Sequence, residues 1–552
     1  MQQQALFYYN NVMITEVSIT VSPEKEKDEQ FIKDNIVKTL QRQGHNIHPS
    51  DITIVFVKKS IDARHGQVKL VLRYKVYEGV KPEEMPSESV PQWHQATGNK
   101  KIIIIGSGPA GLFAAFTLLE HGIQPIIIER GSTTSQRRKD IAAISTRGFV
   151  DSNSNYCFGE GGAGTFSDGK LYTRSNKRGN IPLILRMFVH FGADKKILTD
   201  AHPHIGTDKL PSIVNAMRNK ILALGGELHF DTTCTDFITE QTAEGTAVKG
   251  VRTKNTKTQE MNEFRADAVI LATGHSATDI YELIARTAPE ALEAKTFAVG
   301  VRVEHPRETI DRIQYHGKLD TGLGAAEYRL TSQQKGRGVY SFCMCPGGFV
   351  VPSSTGPQEI VVNGMSAAGR NSQWSNAAIV VETRPEDIPS ECYNPLTPAL
   401  NGLVWRNYIE KNTYTCGIGQ QAPAQRLQDF LAGTISKSLP KTSYTPGVVS
   451  RDLHQCLPPQ VTGRLAHAFR DFDRDMKGFI CPEAVLIASE TRTSTPVRIV
   501  RIKETGECTA LKNLYPAGEG SGYAGGIVSS AMDGIHECNL LIQNLGLQKE
   551  PG

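Results

Sequence analysis

The sequence predicts an α/β protein organised around a parallel β-α-β unit, and three observations carry that reading. A continuous β-branched run, Ile102–Ile105, leads into Gly106-Ser107-Gly108-Pro109-Ala110-Gly111 and an apolar, Ala-rich stretch to about His121. Gly122 ends that stretch, and a second apolar run, Ile126–Ile128, closes on Glu129. A third apolar run, Ala268–Leu271, enters the turn Ala272-Thr273-Gly274. A fourth, from Leu514, enters Ala517-Gly518-Glu519-Gly520 and then Gly525-Gly526-Ile527 and a helix to about Ile535.

Length and composition bound the rest. The chain has 552 residues, enough for three to four domains at one per ~150 residues. Lys and Arg number 61 against 57 Asp and Glu, a net charge of +4, too small an excess to argue for nucleic acid. With 39% hydrophobic and 21% charged residues, disordered, collagen-like and coiled-coil chains are excluded. No apolar run approaches the ~20 residues of a membrane span, and the first residues lack the basic and apolar regions of a signal peptide. Ten cysteines without a CxxC pair do not read as a disulfide framework. The expectation is a cytoplasmic, multidomain globular protein without a membrane partner.

From the N-terminus, residues 1–12 read as a leader. Ile14, Val17, Ile19 and Val21 then lie in a β-branched stretch, and Phe31, Ile32, Ile36, Val37 and Leu40 recur at helical spacing. Two strand-like runs follow, Ile52–Lys58 and Gln67–Glu78, giving an order β-α-β-β compatible with half of a ferredoxin-like unit. Pro82, Pro86 and Pro91 mark 81–100 as a linker. From about 295 to 480 short strands and scattered Gly and Pro suggest an inserted domain. From about Glu483 the pattern returns to strand, Gly-rich turn and helix. The expected division is 1–95, 99–295, 296–482 and 483–552, with the second and fourth pieces forming one unit.

The first Gly-rich turn carries dinucleotide chemistry. Gly106 permits the tight turn, Gly108 lets backbone approach a pyrophosphate, and Gly111 lets helix and strand pack closely. The free N–H groups of the helix start attract phosphate. Glu129 stands where an acid can accept hydrogen bonds from ribose hydroxyls, and its charge disfavours a 2′-phosphate there. Arg130 and Arg138 follow; either could neutralise a pyrophosphate, or both could face solvent. A second Gly-rich stretch runs from Phe158 to Leu171 and includes Gly162, Gly164 and Thr165. Its Gly164-to-Lys170 spacing imitates a Walker A loop. Leu171, however, stands where Mg²⁺ binding needs Ser or Thr, and no apolar strand leads in, so triphosphate hydrolysis is not expected.

With the fingerprint at 106–129, the Ala272-Thr273-Gly274 turn and the turn at 514–527, the sequence resembles the FAD-binding domain of the glutathione reductase-type flavoprotein superfamily. That resemblance implies non-covalent FAD. The 158–171 loop would cover flavin and pyrophosphate, backbone near Thr233 and Cys234 would contact adenine, and Gly518 and Glu519 would meet the ribityl chain. Glu519 stands where the superfamily has Asp. The flavin ring would lie near Gly526 and Ile527. Cys343-Met-Cys345-Pro-Gly-Gly, Asn363-Gly-Met-Ser, Ser60-Ile-Asp-Ala-Arg64 and Glu490-Thr-Arg492-Thr-Ser-Thr-Pro-Val-Arg498 extend the likeness over nearly the whole chain. Together they resemble a group of bacterial FAD-dependent dehydrogenases that carry an extra N-terminal α/β domain.

Only one GxGxxG turn sits within a β-α-β unit that closes on an acid, so NAD(P)H, if it serves, binds transiently or another donor supplies electrons. The expected function is hydride transfer between flavin N5 and a small organic substrate held in the inserted domain. Arg492 and Arg498 are weak candidates for clamping an anionic substrate, with ordinary ion pairing as the alternative. Cys343 and Cys345 share a strand face and read as small packing residues. No HExxH, zinc spacing or GxSxG elbow appears, so no metal site or serine nucleophile is expected. A second class of function is RNA modification or sulfur transfer, with the front domain docking a macromolecule; a salt-dependent affinity for tRNA would favour it.

Overall fold

Apolar periodicity at the front of the chain produces a three-stranded sheet backed by one helix. Strand β1 (Met13–Val21) is followed by helix α1 (Glu29–Arg42), then β2 (Ile52–Asp62) and β3 (Lys69–Glu78). Asp28 caps α1 by accepting from the Phe31 N–H at 3.1 Å, and Ile32, Ile36, Val37 and Leu40 form its buried stripe. The sheet order is β1-β3-β2, antiparallel throughout. The computed structural model describes residues 13–63, 66–78, 89–98, 100–173, 179–317 and 322–547. The expected leader, residues 81–88 and 99 of the linker, and Arg64 lie outside the described residues.

A parallel sheet of five strands forms the centre. β4 (Lys101–Ile105) is followed by α2 (Pro109–Glu120) and β5 (Gln124–Ile128), and α3 (Thr134–Arg147) comes next. The strand order is Leu514–Pro516, Ala268–Leu271, β4, β5, Glu227–His229, and every pair is parallel. Alternation along β4 explains its unbroken apolar run. Ile102 and Ile104 enter the core under α2 and the C-terminal helix Ile527–Asn544, whereas Ile103 and Ile105 enter the core on the opposite face. A strand covered on both faces leaves no polar position. An antiparallel meander, Thr232–Thr242, Gly245–Asn255 and Met261–Arg265, adjoins the sheet; the sequence reading did not anticipate it.

A second large sheet has seven strands in the order Thr331–Gln334, Arg337–Cys345, Trp374–Thr383, Phe297–Pro306, Val485–Glu490, Ala422–Arg426, Val448–Ser450. All pairs are antiparallel except the last. Helix Pro459–Asp475 buries Leu465, Phe469 and Phe472 against it. Strand Val485–Glu490 pairs with Phe297–Pro306, so the expected return to the flavin sheet at 483 comes too early. Its apolar run, buried on both faces, has the same residue pattern as a central parallel strand; only pairing distinguishes the two. No helix among the described residues is long and apolar enough to cross a membrane.

Residues 89–98 do not behave as a spacer. The His94, Ala96 and Thr97 N–H groups donate to the carbonyls of Leu119, Leu224 and Gly122 at 2.9, 2.8 and 3.0 Å. Trp93 lies 4.8 Å from Phe116 and 5.7 Å from Phe191 between ring centroids. A chain beginning at Ser89 is therefore expected to stay folded and keep its cofactor, whereas one beginning at Ala96 loses an aromatic anchor. Thermal unfolding of the two truncations checks this, with the Trp93→Ala variant of the full chain losing about 3 kcal/mol. Equal melting temperatures for the two truncations would contradict it.

Candidate flavin and substrate cleft

A cleft of about 350 Å³ runs along the carboxyl ends of the parallel strands, where open α/β sheets bind ligands. The turn after β4 forms its floor. Gly106 has φ 106°, and a Cβ there would stand 2.3 Å from the Ala272 carbonyl oxygen. A Cβ on Gly111 would stand 2.0 Å from the Gly106 oxygen. These two glycines serve packing. Gly108 differs, because a Cβ on it would meet nothing nearer than Gly162 Cα at 3.8 Å and would face the cleft.

Helices α2 and Ile527–Asn544 both begin at the cleft, with Gly108 and Gly526 as N-caps and no side-chain cap on either. Their first N–H groups are left for an anionic or carbonyl-bearing ligand. A Cβ on Gly274 or Gly525 would likewise enter open space. These backbone-lined surfaces suit a pyrophosphate and a flavin ring, and the donor set fits FAD.

Of the residues singled out from sequence, Gly106, Gly108, Pro109, Ala110, Glu129, Arg130, Gly162, Gly164, Cys234, Ala272, Thr273, Gly274, Gly518, Glu519, Gly526 and Ile527 line the cleft, as does Thr233. Glu519 stands 3.5 Å from His275 Nδ1, its carboxylate open to the cleft. Ser107, Gly111 and Thr165 lie behind the lining. Thr165 Oγ1 donates to the Glu160 carbonyl at 3.1 Å, and Ser107 bonds Glu129.

Glu129 is more committed than expected. One carboxylate oxygen accepts from Ser107 N and Oγ at 2.9 and 2.7 Å, the other from the N–H groups of Gly131 and Gly159 at 2.9 and 3.0 Å. It thus ties the fingerprint turn to the second Gly-rich loop, and a ribose hydroxyl would have to share these oxygens. Arg130 pairs with Asp279 and lies over the Phe158 ring at 4.5 Å. Arg138 is exposed on the outer face of α3, away from the cleft.

The neighbouring Arg137, which sequence reasoning missed, is fully buried. It donates to the carbonyls of Asn155, Tyr156, Gly159, Glu160 and Gly162 at 2.8 to 3.2 Å and so holds the second Gly-rich loop in place. Burial draws its guanidinium down to about 10, still protonated at neutral pH. The helix stripe Thr134, Arg137, Ile141, Ile144 was available in the sequence and selects 137, not 138, as the inward position.

The candidate substrate clamps are not free. Arg492 lines the cleft, but its Nε and Nη2 donate to Glu410 at 2.9 and 2.6 Å, Nη2 also meets Glu359 at 3.0 Å, and Nη1 donates to Thr355 at 2.7 Å. Burial opposes its charge, but the Glu410 and Glu359 carboxylates outweigh it and hold the guanidinium above its ordinary value. Arg498 lies off the cleft and pairs with Glu293 at 3.2 Å. Neither can clamp a substrate without breaking its own pairs.

The far wall of the cleft comes from Phe342, Cys343 and Glu490 of the seven-stranded sheet, Thr493 just beyond it, and Asn363 of the two-stranded sheet formed by Phe349–Pro352 and Val362–Met365. Behind it, fully buried Arg302 pairs with Glu490 at 2.9 Å and donates to Asn376 at 2.7 Å. Across the cleft, Asp168 is held by Arg370 at 2.7 Å. Burial alone would raise the Asp168 carboxyl, but Lys170 and Arg370 outweigh it and hold it low.

Residues 99–147 match an FAD binding domain, 296–493 an FAD-dependent protein, C-terminal domain-like family, and 13–77 a domain of unknown function (DUF8436). FAD is the cofactor of this chain. Among solved structures, a geranylgeranyl bacteriochlorophyll reductase-like protein from Thermoplasma acidophilum is 11% identical with a TM-score of 0.35, covering 81% of this chain and 79% of its own. The glycerol-3-phosphate dehydrogenase of Bacillus halodurans, complexed with FAD, is 10% identical with a TM-score of 0.34, covering 83% and 67%. THI4 of Thermovibrio ammonificans is 16% identical with a TM-score of 0.24, covering 34% of this chain; this chain spans 63% of that neighbour's length. An uncharacterized protein of Clostridium beijerinckii (strain ATCC 51743 / NCIMB 8052) is 36% identical over 546 residues, covering 95% of this chain and 98% of its own. At that identity and coverage, the chain belongs to the same family as the Clostridium beijerinckii protein.

Proposed function

We propose that the chain is a flavin-dependent oxidoreductase of the glutathione reductase-type superfamily, acting on a small organic substrate. One observation carries this reading. The FAD-type turns form one wall of the cleft, and the seven-stranded sheet and the adjoining strand Val362–Met365 supply the other through Phe342, Cys343, Glu490 and Asn363. A substrate seated against that wall would share one enclosed space with the cofactor. Bound FAD supplies two-electron chemistry at N5. The chain's part is to seat the pyrophosphate on the turn at Gly108, present the Glu519 carboxylate to the ribityl hydroxyls and exclude water with the 158–171 loop. The Arg302–Glu490 pair keeps a buried charge balance beside the substrate wall. The division into a flavin unit, a substrate unit and a front α/β unit belongs to the same proposal.

Denatured protein should release FAD and not FMN, because the strand-end surface around Glu129 and Cys234 serves an adenosine that FMN lacks. Chromatography of the released flavin checks this, and FMN alone would contradict it. The function is tested by anaerobic bleaching of the flavin spectrum during a screen of NADH, NADPH and small reduced substrates. Bleaching by one of them supports the reading. The macromolecular alternative predicts no small-molecule turnover and a salt-dependent affinity for tRNA.

A further inference from the structure

Lys170 and Asn363 both line the cleft, and each keeps hydrogen-bond donors that no protein group takes. Lys170 belongs to the second Gly-rich loop, which packs on the expected flavin side at Gly164: a Cβ there would stand 3.0 Å from Ile527 Cγ1. The loop ends in a short ladder. Its Leu171 N–H donates to the Pro203 carbonyl at 2.8 Å, and the Ile205 and Gly206 N–H groups donate to the Gly169 and Asp168 carbonyls at 3.1 and 3.2 Å. The Thr207 N–H donates in turn to the Ser366 carbonyl at 2.9 Å, which joins the ladder to the end of Val362–Met365, the strand that carries Asn363. Both residues therefore sit on backbone held by its neighbours, as a preorganised site requires.

The Lys170 ammonium has three protons to donate. One goes to the Met344 carbonyl. Asp168 Oδ2 lies 3.9 Å away, beyond hydrogen-bond reach, and already accepts from Arg370 Nη2 at 2.7 Å. The other two protons meet no acceptor among the described residues, and 31% of the side chain stays exposed where it lines the cleft. Asn363 Oδ1 accepts from Arg302 Nη2 at 3.2 Å and from the Gly364 N–H at 2.7 Å. With its oxygen so committed, the amide turns its NH₂ group away from Arg302, and no acceptor among the described residues meets it. Arg302 also donates to the Cys343 carbonyl at 3.2 Å, so Lys170 and Asn363 bracket the Cys343–Met344 segment. The other cations of this wall are taken: Arg302 by Glu490, Arg370 by Asp168 and Glu327, Arg492 by Glu410 and Glu359.

We propose that Lys170 and Asn363 form a subsite for the carboxylate of a small organic monocarboxylate, the substrate class of the FAD cleft. The inference rests on reading that cleft as the flavin and substrate site. An ammonium and an amide NH₂ group offer one donor to each oxygen of a carboxylate, and the bond from the ammonium is charge-assisted, about twice as strong as a neutral one. Asp168 and Glu490 line the same cleft, and their charge opposes a phosphate dianion more than a monoanion. Phe342 and Ile527 supply apolar surface for the rest of the molecule. A carboxylate anchored on the far wall leaves its carbon skeleton toward the flavin wall.

The test titrates the full-length holoprotein with benzoate and propionate, with benzamide and inorganic phosphate as controls, and follows both the heat of binding and the visible flavin spectrum. Benzoate or propionate should bind saturably and perturb the spectrum. Lys170→Met should lower that affinity about tenfold or more, and Lys170→Arg should recover part of it. Asn363→Asp keeps an acceptor for Arg302 and Gly364 but replaces the donor with a second oxygen, so it should show a similar loss in flavin-replete protein. Flavin-replete protein that binds neither carboxylate, or binds them undiminished in Lys170→Met and Asn363→Asp, overturns the subsite. Phosphate or benzamide binding as tightly as benzoate overturns the monocarboxylate class. Carboxylate binding that shows in the heat and weakens in both variants, in protein that never holds flavin, would support the subsite and sink the placement of FAD.

Discussion

Gly108→Val is expected to yield a folded protein that has lost FAD. Gly108 has φ −72° and ψ −177°, an extended backbone open to any residue, and its Cβ would touch nothing nearer than Gly162 Cα at 3.8 Å. The fold therefore tolerates the side chain, apart from about 1 kcal/mol for a poorer N-cap. The cleft does not, because the valine methyls occupy the space through which a pyrophosphate reaches the N–H groups of α2. We expect at least a hundredfold loss of FAD affinity, about 2.8 kcal/mol at 1.4 kcal/mol per tenfold. Flavin absorbance per chain and titration of apoprotein with FAD measure it. Gly106→Val supplies the contrast. With φ 106° and the Ala272 oxygen 2.3 Å from its Cβ, it should unfold the turn itself and lower the melting temperature before any question of cofactor arises. A Gly108→Val protein with full flavin would remove the pyrophosphate from this turn.

The contrast between these two glycines shows what was legible in the sequence. Spacing alone placed Gly106, Gly108 and Gly111 on a strand–turn–helix, because each element there is short, local and strongly patterned. The four apolar runs of the parallel sheet were legible for the same reason; a strand buried on both faces has no polar residue to blur it. Long-range pairing was not legible. Val485–Glu490 has the composition of a flavin-sheet strand yet joins the seven-stranded sheet, and nothing local decides between the two partners. The meander over 232–265 is made of half-exposed strands whose polar positions read as loop. The backbone turn at Cys343 was invisible for a related reason: a register slip and one left-handed residue redirect the strand there, and neither follows from residue type. Ion pairs were the least legible. Arg492 carries the right charge near the right turn, and only the structure shows Glu410, Glu359 and Thr355 already occupying its donors.

Arg137 tests whether the second Gly-rich loop owes its shape to one buried cation. Five carbonyls converge on its guanidinium, and those of Asn155 and Tyr156 have no other hydrogen bond among the described residues. In Arg137→Leu these two oxygens stay buried without a donor, and the cation that let glycine backbone crowd inward is gone. Hydrogen bonds to a charged group contribute about 1.5–3 kcal/mol each but overlap within one network, so the expected loss is about 3–5 kcal/mol. Because Gly162 and Gly164 line the cleft, FAD occupancy should fall along with stability. Arg137→Lys should recover only part of both, since one ammonium cannot present the planar fork that reaches Asn155, Tyr156, Gly159, Glu160 and Gly162 together. Arg138→Ala, one position along on the exposed face, should change stability by no more than about 0.5 kcal/mol. Urea unfolding and flavin content of the three variants decide the matter. If Arg137→Leu matches Arg138→Ala in both readouts, the loop holds its own shape through Glu129 and its glycines, and the buried arginine is dispensable.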